Sequence, residues 1–156
     1  MQLPRLHFPE YQFKLQRPSD GGQSLKIFDI IRRKYVRLTP EEWVRQHLLH
    51  FLVKERNFPQ SLISVEKKLL INNLEKRTDV VVYSTAMRPM ILVECKAPTV
   101  TVTQAVFDQA ARYNMSLKVD FFVITNGMET FVCKMDEEEQ AYSFLREIPD
   151  YSAVKS

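Results

Sequence analysis

Glycine is scarce in this chain, with three in 156 residues, at 21, 22 and 127. Glycines at those positions allow neither a G-x-x-x-x-G-K-[ST] phosphate loop nor a G-x-G-x-x-G dinucleotide turn, which excludes an ATP motor and a dinucleotide fold. Cysteine is scarcer still. Cys95 and Cys133 form no C-x-x-C pair and have no clustered histidines beside them, so a disulfide framework and a zinc site are not expected. His7, His47 and His50 read as surface or half-buried side chains. No run of about 18 apolar residues occurs, and Met1 to His7 holds no continuous apolar core of signal-peptide length. A soluble, cytoplasmic protein without a membrane partner is the expectation. An excess of one charge is missing too: 22 Lys and Arg stand against 19 Asp and Glu, a net of +3. An anionic partner must therefore be met by a local patch.

What the chain does have is apolar surface. Hydrophobic residues make up 45%, with 10 Phe and 6 Tyr, which is enough for a core and excludes a disordered chain. The length fits one domain.

The first 38 residues are irregular. Tyr11, Phe13 and Leu15 alternate like a strand, Ser19 to Gly22 is a turn cluster, and Leu25 to Phe28 alternate again, so a loose hairpin is expected. Thr39-Pro40-Glu41-Glu42 then starts a helix, with Thr39 as cap, Pro40 at the first helical position and Glu42 placed for a capping box. The helix should run to about Arg56, with Val44, Leu48, Phe51 and Leu52 on one stripe. A strand is expected over Leu62 to Ile71 and a turn over Asn72 to Lys76. Two very apolar runs follow, Asp79 to Tyr83 and Met90 to Glu94, and read as a hairpin covered on both faces. A second helix over Thr103 to Leu117 and strands over Phe121–Thr125 and Thr130–Met135 precede the acidic run from Asp136. The order implies an α/β or α+β domain with helices on both sides of a mixed sheet.

A hairpin loop centred between Ala86 and Met87 pairs residues whose numbers sum to 173, which sets Asp79 opposite Glu94. Directly opposed side chains stand about 5 Å apart. Lys96 shares the face of Glu94 because the strand period is two, while Cys95 points with Val93 and Ile91 into the core as packing, not as a nucleophile. Opposed carboxylates are destabilising, and a divalent cation is the economical reason to keep them. Mg²⁺ prefers one or two carboxylates plus water and phosphate oxygens, and a nearby ammonium can offset charge that develops at phosphorus. The pattern suits phosphodiester hydrolysis. The competing reading is a solvated strand face, which describes Glu66-Lys67-Lys68, an E-x-K triplet with no partner acid. Lys67, Lys68, Lys76 and Arg77 cluster around one turn, either to bind phosphates or as a solvated face.

Asp79 followed by Glu94-Cys95-Lys96 resembles the PD-(D/E)XK nuclease superfamily, with Thr78 where a proline often stands. More closely, Thr39-Pro40-Glu41-Glu42-Trp43-Val44-Arg45-Gln46, Lys76-Arg77-Thr78-Asp79, Val93-Glu94-Cys95-Lys96-Ala97-Pro98, Gln109-Ala110-Ala111-Arg112-Tyr113-Asn114 and Thr125-Asn126-Gly127 are similar to the N-terminal nuclease domain of type I restriction enzyme R subunits, in a small stand-alone form. The five motifs occur in order across roughly Leu38 to Met135. The resemblance implies a restriction-endonuclease-like core, a mixed β-sheet flanked by helices, over residues 39–156, with residues 1–38 as an extension packed on it. It implies a hydrolase that cuts DNA with Mg²⁺, or Mn²⁺ as substitute. Asp79 and Glu94 then bind the metal, Lys96 positions or activates water, and a helix glutamate completes the metal shell. Glu41 is preferred for that role because it lies four before Arg45, with Glu42 as competitor. Gln109 and Tyr113 are similar to the Q-x-x-x-Y motif of RecB-type nucleases, and with Arg112, Gln104 and Arg45 they are expected along the nucleic-acid path. DNA is the implied partner, with room for a homodimer or a larger restriction or repair assembly; any translocation belongs to a partner. The alternative is a nucleic-acid-binding or assembly module that keeps the fold without turnover.

Overall fold

The two apolar runs form the centre of the protein in a computed structural model, which describes residues 3–19, 24–71, 73–115, 117–136, 138 and 141–155. Ahead of them β1 (Leu15–Gln16), β2 (Lys26–Asp29) and β3 (Lys34–Arg37) form an antiparallel sheet of their own. Helix α1 (Pro40–Lys54), a 3₁₀ turn (Gln60–Leu62), β4 (Ile63–Val65) and a hairpin of β5 (Lys68–Ile71) with β6 (Leu74–Arg77) follow. The apolar runs are β7 (Val80–Tyr83) and β8 (Pro89–Cys95). After them come α2 (Gln104–Met115), β9 (Phe121–Thr125), β10 (Thr130–Asp136), β11 (Ala141–Leu145) and the single turn α3 (Tyr151–Val154).

Six strands make one mixed sheet in the order β11-β10-β9-β8-β7-β4. Every neighbouring pair is antiparallel except β8 and β9, and a parallel pair needs a crossover, which α2 supplies. Both faces of the sheet are covered, which is why β7 and β9 are buried at every position and read as continuous apolar runs. On one face Val44, Leu48 and Leu52 of α1 pack with Val80, Val82, Ile91 and Val93. On the other, Phe107 and Ala111 of α2 pack with Val81, Leu92, Phe122 and Ile124. Each fully buried aliphatic side chain stabilises the fold by about 1.5–3 kcal/mol.

Several sequence expectations hold. Thr39 caps α1, its Oγ1 accepting from the Glu42 amide at 3.0 Å, with Pro40 in the first turn. The helix ends at Lys54, two residues earlier than expected. Gly127 makes the β9–β10 turn at φ 85°, and a Cβ there would lie 2.9 Å from Leu6 Cδ2.

Others are corrected. The expected strand over 62–71 is two strands in different sheets, because Glu66 adopts φ 53° and turns the chain between β4 and β5. Residues 74–76, expected in a turn, belong to β6, the reversal being made at Asn73 with φ 64°. The N-terminal hairpin gains a third strand, because the Asp29 carboxylate accepts from the amides of Ile31 and Arg32 and folds a turn before β3. The turn expected at Asp20-Gly21-Gly22 lies outside the described residues, while β11 and α3 were not anticipated at all. His47 and His50 are not surface side chains: at 6% and 5% exposure they sit among Phe8, Tyr11, Phe13 and Trp43. Burial pushes the His50 imidazole down to about 4.

Candidate active site

The β7–β8 ladder pairs Val80 with Val93, Val81 with Leu92 and Val82 with Ile91, the register expected from the sequence. Asp79 stands one residue ahead of β7, where that register meets Glu94. Its Oδ2 accepts the Cys95 amide at 2.8 Å, so the acid grips the middle of the Glu94-Cys95-Lys96 triplet. The Lys96 amide donates to the Thr125 carbonyl at 2.8 Å and ties this strand end to β9. Cys95 itself is buried at 1% exposure, and burial, then the Asp79 charge, push its thiol well up. It is packing, as expected. Neither the Glu94 nor the Lys96 side chain has a hydrogen-bond or ion-pair partner among the described residues.

Helix α1 brings Glu41, Glu42 and Arg45 to this end of the sheet. Arg45 is 5% exposed, and its guanidinium lies 3.5 Å from Asp79, 3.6 Å from Glu41, 3.5 Å from Glu42 and 3.2 Å from Glu66. Arg32, from the turn after β2, pairs with Glu42 at 2.9 Å, Glu66 at 3.2 Å and the fully buried Asp29 at 2.8 Å. Gln46 donates to both Asp29 and Glu42. Burial opposes ionisation of Asp29, but the bonds from Arg32 and Gln46 outweigh it and hold the carboxyl low. Burial likewise opposes ionisation of Glu66, and Arg45, Arg32 and Arg77 outweigh it.

The two helix glutamates separate clearly in this arrangement. The Glu42 carboxylate is engaged by Arg32 and Gln46, a use that a capping box alone does not describe. Glu41 has a half-exposed side chain at 46% and, among the described residues, no hydrogen-bond or ion-pair partner beyond the long Arg45 contact. Burial, then the charge of Asp79, push its carboxyl up, with Arg45 and Lys96 opposing. Glu41, Asp79 and Lys96 thus share one electrostatic neighbourhood.

Helix α2 closes the other side. Gln109, Arg112 and Tyr113 are exposed on it, and Gln104 donates to Asp108 at 3.0 Å. Lys76 of β6 lies between this helix and Glu94: its Nζ donates to Asn114 Oδ1 and stands 4.3 Å from the Tyr113 ring centroid. Burial pushes the Lys76 ammonium down in pKa, with Glu94 opposing. A cavity of about 20 Å³ bounded by Lys76, Thr78, Asp79 and Glu94 has room for one water.

The structure therefore brings Asp79, Glu94, Lys96 and Glu41 to one strand end and sets Gln109, Arg112 and Tyr113 on the helix beside it. Arg45, expected along the nucleic-acid path, lies instead inside the acid cluster. Glu66, read as a solvated triplet, is part of that cluster; so are Asp29 and Arg32, of which only the i, i+3 spacing gave a local sign. No group of three or more His, Cys, Asp or Glu side chains converges as a ready metal cage among the described residues. The donor chemistry still suits a hard cation, because the charge of Asp79 lies close enough to Glu41 to raise the Glu41 carboxyl without an ion between them.

A family model described as the type I restriction enzyme R protein N terminus matches residues 40–149. No curated protein matches the chain. Among solved structures, a fragment described as an HsdR subunit of a type I restriction enzyme from Vibrio vulnificus YJ016 superposes with a TM-score of 0.51 at 20% identity. The match covers 75% of this chain and 24% of that one, so this chain spans about a quarter of the neighbour's length. At this identity the likeness concerns the fold, a mixed sheet flanked by helices.

Proposed function

The chain belongs to the family of type I restriction enzyme R protein N termini, and from that premise we propose that it hydrolyses phosphodiester bonds of DNA with a divalent cation. The observation that carries this reading is the grip of Asp79 on the Cys95 amide, which fixes the first acid against the strand that bears Glu94 and Lys96. Asp79 and Glu94 would hold Mg²⁺, or Mn²⁺, with Glu41 completing the shell; two or three carboxylates with retained water are the usual Mg²⁺ set. When bound, such an ion supplies Lewis acidity and a more acidic water.

The chain's own residues do the rest. Asp79 is held in place by its bond to Cys95 and by Arg45. The Lys96 ammonium, without an ion-pair partner among the described residues, orients a water and offsets negative charge that develops on the phosphoryl oxygens. Glu41 on α1 lies in the same electrostatic neighbourhood as Asp79 and Lys96, where it can complete the shell. Gln109 and Arg112 guide the backbone of the nucleic acid along α2.

One observation favours the runner-up, a nucleic-acid-binding or assembly module without turnover: the Arg45 guanidinium already neutralises part of the acid cluster. Plasmid nicking in Mg²⁺ and duplex binding in EDTA, both on wild type and Asp79→Asn, separate the two. For a nuclease, Asp79→Asn cuts poorly yet binds at least as tightly as wild type, because one phosphate-repelling charge is gone. Wild-type protein that binds duplex and never nicks with either ion makes the module the correct reading.

A further inference from the structure

The four cations around the β5–β6 hairpin part company in the structure. Lys68 pairs with Glu75 at 3.1 Å on the exposed side, Arg77 joins Glu66 at 3.6 Å, and Lys67 lies over the Tyr83 ring at 5.5 Å. Lys76 turns the other way, toward α2 and Glu94. Its two direct partners are neutral: the Asn114 amide oxygen and the face of Tyr113 at 4.3 Å. Asn114 is 1% exposed, and its Nδ2 donates to the Ala110 carbonyl at 2.7 Å, so the oxygen is held toward the lysine. No carboxylate forms an ion pair with Lys76 among the described residues. A ring face and an amide oxygen orient an ammonium without neutralising it. Arg45, on the other side of the same strand end, has four acids within 3.6 Å.

We propose that Lys76 is a phosphate-binding residue of this site: presented beside Glu94 by Tyr113 and Asn114, its ammonium takes a non-bridging oxygen of the nucleic-acid backbone on the α2 side. The inference rests on the nuclease reading for the nature of the ligand. It gives Tyr113 a definite task, that of a shelf positioning the lysine, where the sequence motif alone suggested contact with the nucleic acid. It also accounts for a polar side chain at Asn114, which lies on the buried stripe of α2 with Phe107 and Ala111.

The test is fluorescence anisotropy of a fluorescein-labelled DNA duplex with the full chain in EDTA, over a salt series, alongside plasmid nicking in Mg²⁺. One phosphate contact contributes about 0.9 to the slope of log K against log salt, so Lys76→Gln should bind about tenfold more weakly at ~0.1 M salt with the slope reduced by that amount. Lys76→Arg should restore slope and affinity. Tyr113→Leu should weaken binding about threefold in the lysine background and not at all on top of Lys76→Gln, since coupled groups are non-additive. Wild-type affinity and slope in Lys76→Gln overturn the proposal, and so does weaker binding with an unchanged slope, the mark of a merely structural role. If Lys76→Gln melts well below wild type, Lys76→Arg decides: a folded arginine variant that binds no better than Lys76→Gln overturns the proposal. Equal loss from Tyr113→Leu in both backgrounds overturns the shelf. An unchanged slope with nicking intact sinks this inference alone, whereas a normal slope difference without any nicking supports it and overturns the nuclease reading. Wild-type protein that binds no duplex overturns both.

Discussion

The two sides of the β8 strand end handle charge in opposite ways. On the α1 side Arg32 and Arg45 are bonded to Asp29, Glu42 and Glu66, with Arg45 reaching on to Glu41 and Asp79. On the α2 side Glu94 and Lys76 stay out of ion pairs among the described residues, as does Lys96 at the strand tip. Buried charges must be paired or they destabilise the fold severely. Groups meant for a ligand must keep their charge until it arrives. The first side is therefore the scaffold and the second, on the proposed nuclease reading, the working surface, with Asp79 belonging to both.

The largest effect should come from removing the hub of the scaffold. Arg45→Met takes one of two arginines from Glu42 and one of three from Glu66, and breaking a buried pair from one side costs about 3–5 kcal/mol. Urea unfolding measures it. A loss below about 1 kcal/mol would place Arg45 among surface pairs and end the distinction. On the working side the reverse holds. Lys96→Ala should lower the nicking rate about a hundredfold to a thousandfold, as loss of one charge-stabilising donor does, while unfolding stays near wild type. An equal fall in stability would make Lys96 scaffold too.

The scaffold should also be the side that feels pH. His50 lies on α1 with its imidazole pushed down to about 4 from 6.5, by burial first and by Lys54 and His47 next, with Asp29 opposing. Its neutral form belongs to the fold, so the unfolded chain takes up the proton first as pH drops. Stability is then full above about 6.5, is lost progressively as pH falls toward 4, and the loss levels out at about 3 kcal/mol. Urea unfolding at steps across that window, repeated on His50→Asn, checks it: the variant should decline less steeply than wild type, the remainder coming from His47, which burial also pushes down. Parallel slopes would assign the decline to other groups.

How much of this was legible in the sequence follows the same division. The register that opposes Asp79 and Glu94 was readable because two continuous apolar runs and a short loop leave one pairing that buries every apolar side chain. The Thr39 cap and the α1 stripe were readable from local chemistry. Glu66 was not, since its φ of 53° is adopted without glycine to announce it, and that turn is what swings its carboxylate to Arg45. Asp29 and Arg32 were hidden for another reason: their partners Glu42 and Gln46 sit across a strand and a helix start, and long-range ion pairs leave no periodic trace. Local rules found the residues proposed to do the work; the scaffold holding them is made of contacts between distant segments.

The smallest effects should map the proposed nucleic-acid path. Gln109 and Arg112 are both exposed on α2, one helical turn apart, so losing either should shift folding stability by about 0.5 kcal/mol or less. Their binding losses should differ in kind. Arg112 carries a charge that releases a counterion on meeting phosphate, so Arg112→Ala should weaken duplex binding a few-fold to about tenfold and reduce the salt slope by about 0.9. Gln109 contributes hydrogen bonds only, so Gln109→Ala should weaken binding with the slope unchanged. Arg88 makes the control. It sits at the far end of β8, held to Asp120 at 2.8 Å, and removing it should alter neither affinity nor slope. If Arg88→Ala and Arg112→Ala lowered the slope equally, binding would follow the net charge of the whole chain and the α2 face would lose its claim as the path. If only Arg112→Ala lowered it, the nucleic acid would be fixed to the side of the strand end that carries Glu94.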